Sequence, residues 1–447
     1  MRRVALGLLC SVAGIMVPAS GAQTAATGAP GAPEAQALPE IIVTARKRAE
    51  SLLKVPVVAT ALTMEEMERF SSDDLYSVST RVPGLLIGTS LAANGLQVSI
   101  RGIGTTANNA TVDNSISLNL DGLPLTQGLA YGLGMFDVAQ VEVLKGPQSL
   151  FYGKNSPAGV ISLRSADPTN RAEIVARAGY EFEADEKVVE TIVSGPVSDA
   201  LKLRLGARYS DQDGFFRNDA KVLPNLGSLD PIDRRVTPTQ DLILRGTALF
   251  TPEGSYSARL KLNYQNTKQD GTWPANQLGY CPDGQGAVAP RNIPFIAGDD
   301  CKINRSIGVG WPDPAAFGPM RNNGKPFNDQ EQVLTSLEQN VDIADGLTLT
   351  SLTGYYWLKQ EYLYLASVIP GASALVSDSG FRSDQVTQEL RLTSDYTDRP
   401  VNFMVGAFYQ SGGQEPQVLL RGNKVLGLAE TVSAVNHDID IESLSAF

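Results

Sequence analysis

The chain has 447 residues, of which 19% are charged, a net charge of −11, 42 glycines and one histidine, His437. An acidic, charge-poor chain lacks the basic patch that nucleic acid requires, so no nucleic-acid partner is expected. One histidine and three cysteines exclude multi-histidine metal sites and an all-cysteine zinc site with its tetrahedral thiolate set; no metal and no cofactor is expected.

The chain opens with Arg2 and Arg3, an apolar run over residues 4–17, and the small residues Ser20-Gly21-Ala22. This is the layout of a secretory signal peptide, residues 1–22, and the run is too short to span a bilayer as a helix. Cys10 leaves with the signal. Cys281 and Cys301 remain, and such a pair in an exported chain reads as a disulfide, with two free thiols as the alternative. Residues 23–49 form a tether rich in Ala, Gly and Pro. Near its end the β-prone hexad Glu40-Ile41-Ile42-Val43-Thr44-Ala45 reads as a buried edge, a docking peptide, or simply the first strand of the domain behind it.

Residues 50–167 read as a compact α/β unit. Thr63-Met64-Glu65-Glu66 has the form of a capping box opening a short helix, and Ser71-Ser72-Asp73-Asp74 opens a second, running to about Thr80. Strands are expected over 96–101, 117–120, 138–145 and 160–165, with turns such as Asp121-Gly122 between them. Asp121-Gly122 reads as a turn, not as a catalytic aspartate. No Gly-X-Ser-X-Gly nucleophile motif is present, and no enzyme activity is expected.

After Asp167 the periodicity becomes two. Residues 201–209 read Leu-Lys-Leu-Arg-Leu-Gly-Ala-Arg-Tyr, and 256–264 read Tyr-Ser-Ala-Arg-Leu-Lys-Leu-Asn-Tyr. Long alternating segments ending in aromatics mark membrane β-barrel strands. About ten are expected: 171–181, 187–196, 201–211, 240–250, 255–267, 331–343, 347–362, 381–394, 400–411 and 431–447. A soluble β-sandwich is the alternative, but strands in soluble sheets run to about 5–6 residues. Short connections at 197–200, 251–254, 344–346 and 395–399 alternate with long ones, the order of periplasmic turns and external loops. Cys281 and Cys301 then share the longest external loop.

The segments Arg81-Val82-Pro83-Gly84, Ile100-Arg101-Gly102-Ile103-Gly104, Leu118-Asn119-Leu120-Asp121-Gly122-Leu123-Pro124 and the run from Phe136 through Val143-Leu144-Lys145-Gly146-Pro147 to Gly153 resemble, in order and spacing, the plug domain of TonB-dependent outer-membrane receptors. Gln388-Glu389-Leu390-Arg391-Leu392 resembles their barrel strands. The resemblance implies a mainly β fold: a transmembrane antiparallel β-barrel of 22 strands around a small α/β N-terminal plug, in the outer membrane of a Gram-negative bacterium. It makes residues 50–167 the plug and 168–447 part of the barrel. Ile41, Ile42, Val43, Thr44 and Ala45 look like the TonB box, which TonB would capture by strand addition. Energy would come from TonB's inner-membrane complex. The other partners implied are outer-membrane lipid and lipopolysaccharide, and a small-molecule ligand that includes metal chelates.

In the family, plug cations lock onto barrel acids. Arg101 and Lys145 are the cations expected here, with Glu142 and Glu389 as partners. Ligand is expected at the plug apices and external loops, with Asn94, Asn108, Asn109, Tyr131, Tyr152 and Trp311 as candidates. Ferric siderophores are the family's commonest cargo; vitamin B12, oligosaccharides and haem are alternatives. About ten strands fall short of 22. An open sheet would leave unpaired edges in lipid. The expectation is therefore the N-terminal part of a longer receptor, with a non-transporting remnant of an interrupted gene as the alternative.

Overall fold

The computed structural model describes residues 41–447 except 44–46, 48–49, 54, 71, 73, 90–94, 106–109, 133–134, 153–154, 221–223, 232–233, 272–301 and 366–372. The expected signal peptide, most of the tether, Thr44, Ala45, Asn94, Asn108, Asn109, Cys281 and Cys301 lie outside the described residues.

The first unit starts with a small hairpin, β1 (Ile42–Val43) against β2 (Glu50–Ser51). Then come β3 (Val58–Thr63), α1 (Met64–Arg69) and α2 (Leu75–Ser79). Both helices begin where side-chain oxygens satisfy first-turn amides: Thr63 with Glu66 at α1, and Asp74 with Ser77 at α2. The strands β4 (Leu85–Thr89), β5 (Leu96–Ile100) and β6 (Ile103–Gly104) form one small sheet. A larger five-stranded sheet has the order β3, β9 (Val138–Lys145), β10 (Gly159–Ser165), β7 (Ile116–Leu120), β8 (Leu123–Leu125). All its pairs are antiparallel except β7 with β10. Every residue of β7 is buried, as expected of a strand covered on both faces. Asp121 and Gly122 both have positive φ, 51° and 90°, the two-residue turn that Asp-Gly favours between antiparallel strands. The helical turn α3 (Ser149–Tyr152) precedes β10.

The second unit is a single antiparallel sheet: β11 (Glu173–Glu181), β12 (Glu186–Pro196), β13 (Leu201–Gln212), β14 (Thr239–Phe250), β15 (Tyr256–Asp270), β16 (Phe327–Ala344), β17 (Leu347–Leu365), β18 (Leu375–Ser394) and β19 (Met404–Gly422). A tenth strand comes in two pieces, β20 (Thr431–Asn436) and β21 (Ile439–Ala446), both on β19. The ten strands expected from alternation are present. The tenth is broken because the break at residues 437–438 faces Pro416, which has no N–H to donate to a ladder. Several strands run further at their long-loop ends than the alternation predicts. β19 continues to Gly422 rather than stopping near 411, through a stretch, Gly412-Gly413-Gln414-Glu415-Pro416-Gln417, that carries no apolar signal.

One face of this sheet presents Leu205, Tyr209, Leu244, Leu260, Leu262, Tyr355, Val386, Leu390, Val405 and Tyr409 to the outside. A large exposed apolar band on alternate residues is the face a barrel turns to lipid. The opposite face is polar and closes over the first unit. The first unit's core reaches into it: Leu334, Leu352, Tyr356, Leu358 and Phe381 of the wall join Leu118, Leu123, Leu125 and Leu129 in one buried cluster. Beyond the long-loop end, connections mesh with each other. Phe216–Asn218 pairs with both Arg235–Val236 and Ser306–Ile307. Asn423, fully buried, donates to the carbonyls of Leu226 and Ser373.

Candidate functional site: the interface between the first unit and the wall

Among the described residues, two of the charge clusters at this interface begin at aspartates with left-handed backbone. Asp121, in the β7–β8 turn, and Asp137, at the start of β9, both have positive φ. Each aspartate reaches a cation on the wall. Arg204 of β13 grips Asp137 bidentately: Nε lies 2.9 Å from Oδ2, and Nη2 lies 2.6 Å from Oδ1. Arg245 of β14 donates to the Asp137 carbonyl at 3.3 Å. Lys261 of β15 donates to Asp121 Oδ1 at 3.0 Å, to the Ser165 carbonyl at 2.8 Å and to Ser165 Oγ at 2.9 Å. Burial pushes the Asp121 carboxyl up, but Lys261, Arg245 and the Ser165 N–H outweigh it and hold the group below the usual carboxylate range. Buried charges are tolerated only when paired and hydrogen-bonded in this way.

The third cluster holds the tether. Val43 is fully buried with Val55, Ala61, Leu144, Tyr152 and Val160, and Ile41 packs on the same cluster. Leu52 N–H donates to the Ile41 carbonyl, and the Gln140 side chain donates to the Ile42 carbonyl, both at 2.9 Å. A few residues on, Lys47 pairs with Glu389 of β18. Glu389 also accepts from Arg391 at 2.6 Å. The Lys47 ammonium lies 5.3 Å from the Phe447 ring centroid and 6.0 Å from that of Tyr152, within cation–π range. Burial pushes its pKa below the ordinary lysine value, although Glu389 opposes this.

The expected lock is not the one formed. Glu389 is engaged by Lys47 and Arg391 rather than by Arg101 or Lys145. Arg101 is exposed in the β5–β6 turn. Lys145 has burial and the Arg101 charge lowering its pKa, so these two cations neighbour each other rather than an acid. Glu142 is buried in β9 but stands three residues from Lys145, and an odd spacing puts two strand residues on opposite faces. The Asp121 and Asp137 contacts have the reverse polarity, acids on the first unit and cations on the wall, whereas Lys47 on Glu389 keeps the expected polarity with a different cation. Arg204, Arg245 and Lys261 were visible in the sequence only as polar residues at inward positions, which any barrel strand carries.

The described aromatic ligand candidates are also committed elsewhere. Tyr131 is buried in the first unit's core and donates its hydroxyl to the Ile116 carbonyl. Tyr152 is buried beneath the tether. Trp311 is buried against the 228–229 segment, with Lys325 over its ring at 5.9 Å. None of the three offers an open stacking face. Of the expected TonB-box residues, Ile41, Ile42 and Val43 are described, and they form the packed hairpin above. Among the described residues, no group of three or more His, Cys, Asp or Glu side chains is placed to hold a metal ion.

Comparisons with known proteins fit this geometry. Residues 51–160 match the family model of the TonB-dependent receptor plug domain. The ferrichrome outer membrane transporter/phage receptor of Escherichia coli K12 is 29% identical over 199 residues, covering 40% of this chain and 26% of that protein. The vitamin B12 transporter BtuB of Vibrio vulnificus is 25% identical over 248 residues, covering 54% of this chain and 37% of that protein. The crystal structure of the ferric yersiniabactin uptake receptor FyuA of Yersinia pestis superposes with a TM-score of 0.67 at 17% identity, over 87% of this chain and 53% of that one. The chain thus spans about half, or less, of the length of the proteins it matches. Residues 51–160 are thus a TonB-dependent receptor plug domain, and the ten-stranded wall folded around it has the fold of the outer-membrane receptors it superposes on.

Proposed function

We propose that this chain is the plug and adjoining barrel wall of a receptor that takes up a scarce ligand, a ferric siderophore, across the outer membrane with energy delivered by TonB. The observation that carries this reading is the tether. A two-residue strand is held at the plug's edge by a hairpin, one glutamine, the buried Val43 side chain and one ion pair, and it leads directly into a plug pinned inside a barrel wall. Such a short strand can be displaced onto the sheet of another protein by strand addition. A pull on it would then reach the plug. Residues 1–22 serve as the export signal, and lipopolysaccharide contacts the apolar outer face. The siderophore assignment is supported by the ferrichrome and ferric yersiniabactin receptors among the relatives. Vitamin B12 and haem are the competing cargoes, because a B12 transporter and hemin receptors align over longer stretches than the ferrichrome transporter does.

The test is deletion of residues 41–45 in the receptor as the cell makes it, with iron-55 ferrichrome as the probe. Energised uptake is expected to vanish while surface binding of the probe persists. Uptake that survives the deletion would overturn the TonB-box assignment. Uptake of cobalamin in place of ferrichrome would overturn the cargo.

A further inference from the structure

Between plug and wall, near the short-turn end, lies a charged cavity of about 260 Å³. Pockets for drug-sized ligands hold roughly 300–1,000 Å³, so its occupant is smaller than that. The carboxylates that line it are already spent. Asp121 accepts from Lys261, Glu338 accepts from Arg259 at 2.8 Å, and Glu389 is shared by Lys47 and Arg391. The guanidinium groups are not. Arg391 of β18 gives Nη1 to Glu389, but its Nε is buried and donates to nothing among the described residues. Arg259 of β15 gives Nη1 to Glu338, and its buried Nε, 3.0 Å from Asp167, is out of line for a hydrogen bond. Arg164 of β10 makes no ion pair among the described residues and one long hydrogen bond, 3.5 Å, to the Gln140 side chain. A buried donor without an acceptor is costly, and the planar edge of a guanidinium is shaped to meet an oxyanion with two parallel hydrogen bonds. Asn119, Ser162 and Ser336 bring neutral hydrogen-bonding groups to the same space.

We propose that this cavity is a binding site for a small oxyanion, of phosphate or citrate size, held between Arg164 and Asn119 of the plug and Arg259 and Arg391 of the wall. The cavity lies on the short-turn side of the cluster that Leu334, Tyr356, Leu358 and Phe381 form with the plug core. Short turns face the periplasm in such barrels, so the occupant comes from the periplasm. The oxyanion touches both units and binds only while the plug is seated. It therefore stabilises the seated plug, and by reciprocity a plug that leaves its seat releases the oxyanion.

The test is hydrogen exchange of the β9 and β10 amides, in outer-membrane fragments holding the receptor as the cell makes it. Phosphate and citrate are titrated separately, against chloride at matched ionic strength. Protection is expected to rise saturably with at least one oxyanion, about tenfold at ten times the half-saturating concentration. Phosphate also strengthens apolar burial in general, but that effect keeps growing with concentration and does not depend on particular arginines. Arg164→Gln and Arg391→Gln should each remove the saturable rise, and Arg391→Lys, which keeps the charge and loses the planar fork, should weaken it. Arg382→Gln, at an exposed arginine of β18 that faces Glu415, should leave it intact. A rise with phosphate alone makes phosphate the occupant, and a rise with citrate alone makes it a polycarboxylate. A rise that never saturates, or that chloride reproduces, would overturn the site. So would a full saturable rise in Arg164→Gln, which breaks no ion pair, even if Arg391→Gln unseats the plug. The readout involves neither cargo nor tether, so failure of the uptake test would leave this site standing.

Discussion

The wall holds the plug in two different ways. On β13–β15, three cations meet two plug aspartates deep in the interface, with directional bonds that fix one position. On β16–β18, Leu352, Tyr356, Leu358 and Phe381 pack on the plug core, neutral amides touch its backbone, and the tether's Lys47 meets Glu389. Apolar contact is non-directional and tolerates sliding, and a displaced amide can exchange one neutral partner for another. A buried ion pair cannot be separated by a small shift without exposing each charge to a low-dielectric surround. The first set of contacts therefore fixes direction as well as position, and the second supplies mainly non-directional packing.

The sharpest way to break this comparison is Arg204→Met. It leaves the Asp137 carboxylate buried without its bidentate partner, and such losses cost about 3–5 kcal/mol. Hydrogen exchange of the β9 amides under increasing urea should show plug opening at markedly lower denaturant. The double change Arg204→Met with Asp137→Asn should recover most of the loss, since no lone charge remains. If the double variant is as weak as the single one, packing rather than charge holds this seam.

Asp121→Asn comes next, at about 1.5–3 kcal/mol for hydrogen bonds to a charged group. Its pH dependence has a definite sign. The carboxyl is held below its ordinary value in the folded protein, so its contribution is complete above the unfolded value near 3.9. That contribution is lost as pH falls through the lower, folded value. Plug protection against protease should fall along this acid limb in the parent, and the limb should flatten in Asp121→Asn. A steeper limb in the variant would contradict the pairing with Lys261.

How much of this was legible in the sequence differs by region. The barrel strands were legible because lipid demands apolar residues on every second position. The signal fades only where strands rise past the apolar band, as in residues 412–422 of β19. The two short helices were legible from Thr63 and Asp74 because capping is local chemistry. The plug–wall contacts were not. Asp137 and Arg204 are far apart in sequence, and alternation reveals that position 204 faces inward without revealing what it faces. Asp121 stood out as a turn residue. It is one, but the same left-handed turn also aims its carboxylate at Lys261. Lys47 sat in the basic run Arg46-Lys47-Arg48, where nothing local marks it as the residue that reaches β18.

On β17, Gly354→Ala should cost about 1–3 kcal/mol by overpacking. A Cβ there would stand 2.3 Å from Leu123 Cδ2, and Leu123 is buried against the same wall. Measured as a shift in urea midpoint, this would show that the apolar contact of β16–β18 with the plug is close-packed. A neutral result would mean that Leu123 has room to retreat.

Gln127→Ala should have the smallest effect, about 0.5–1.5 kcal/mol, the net worth of one neutral hydrogen bond. The Gln127 amide is buried and donates to Ser383 Oγ. Its loss leaves a neutral hydroxyl lone pair without its donor, a far smaller penalty than the carboxylate charge left unpaired by Arg204→Met. The ratio of the two effects, read in the same hydrogen-exchange experiment, is the decisive quantity. A Gln127→Ala cost as large as that of Arg204→Met would mean that both sets of contacts grip the plug equally, and that a neutral hydrogen bond fixes position here as firmly as a buried ion pair.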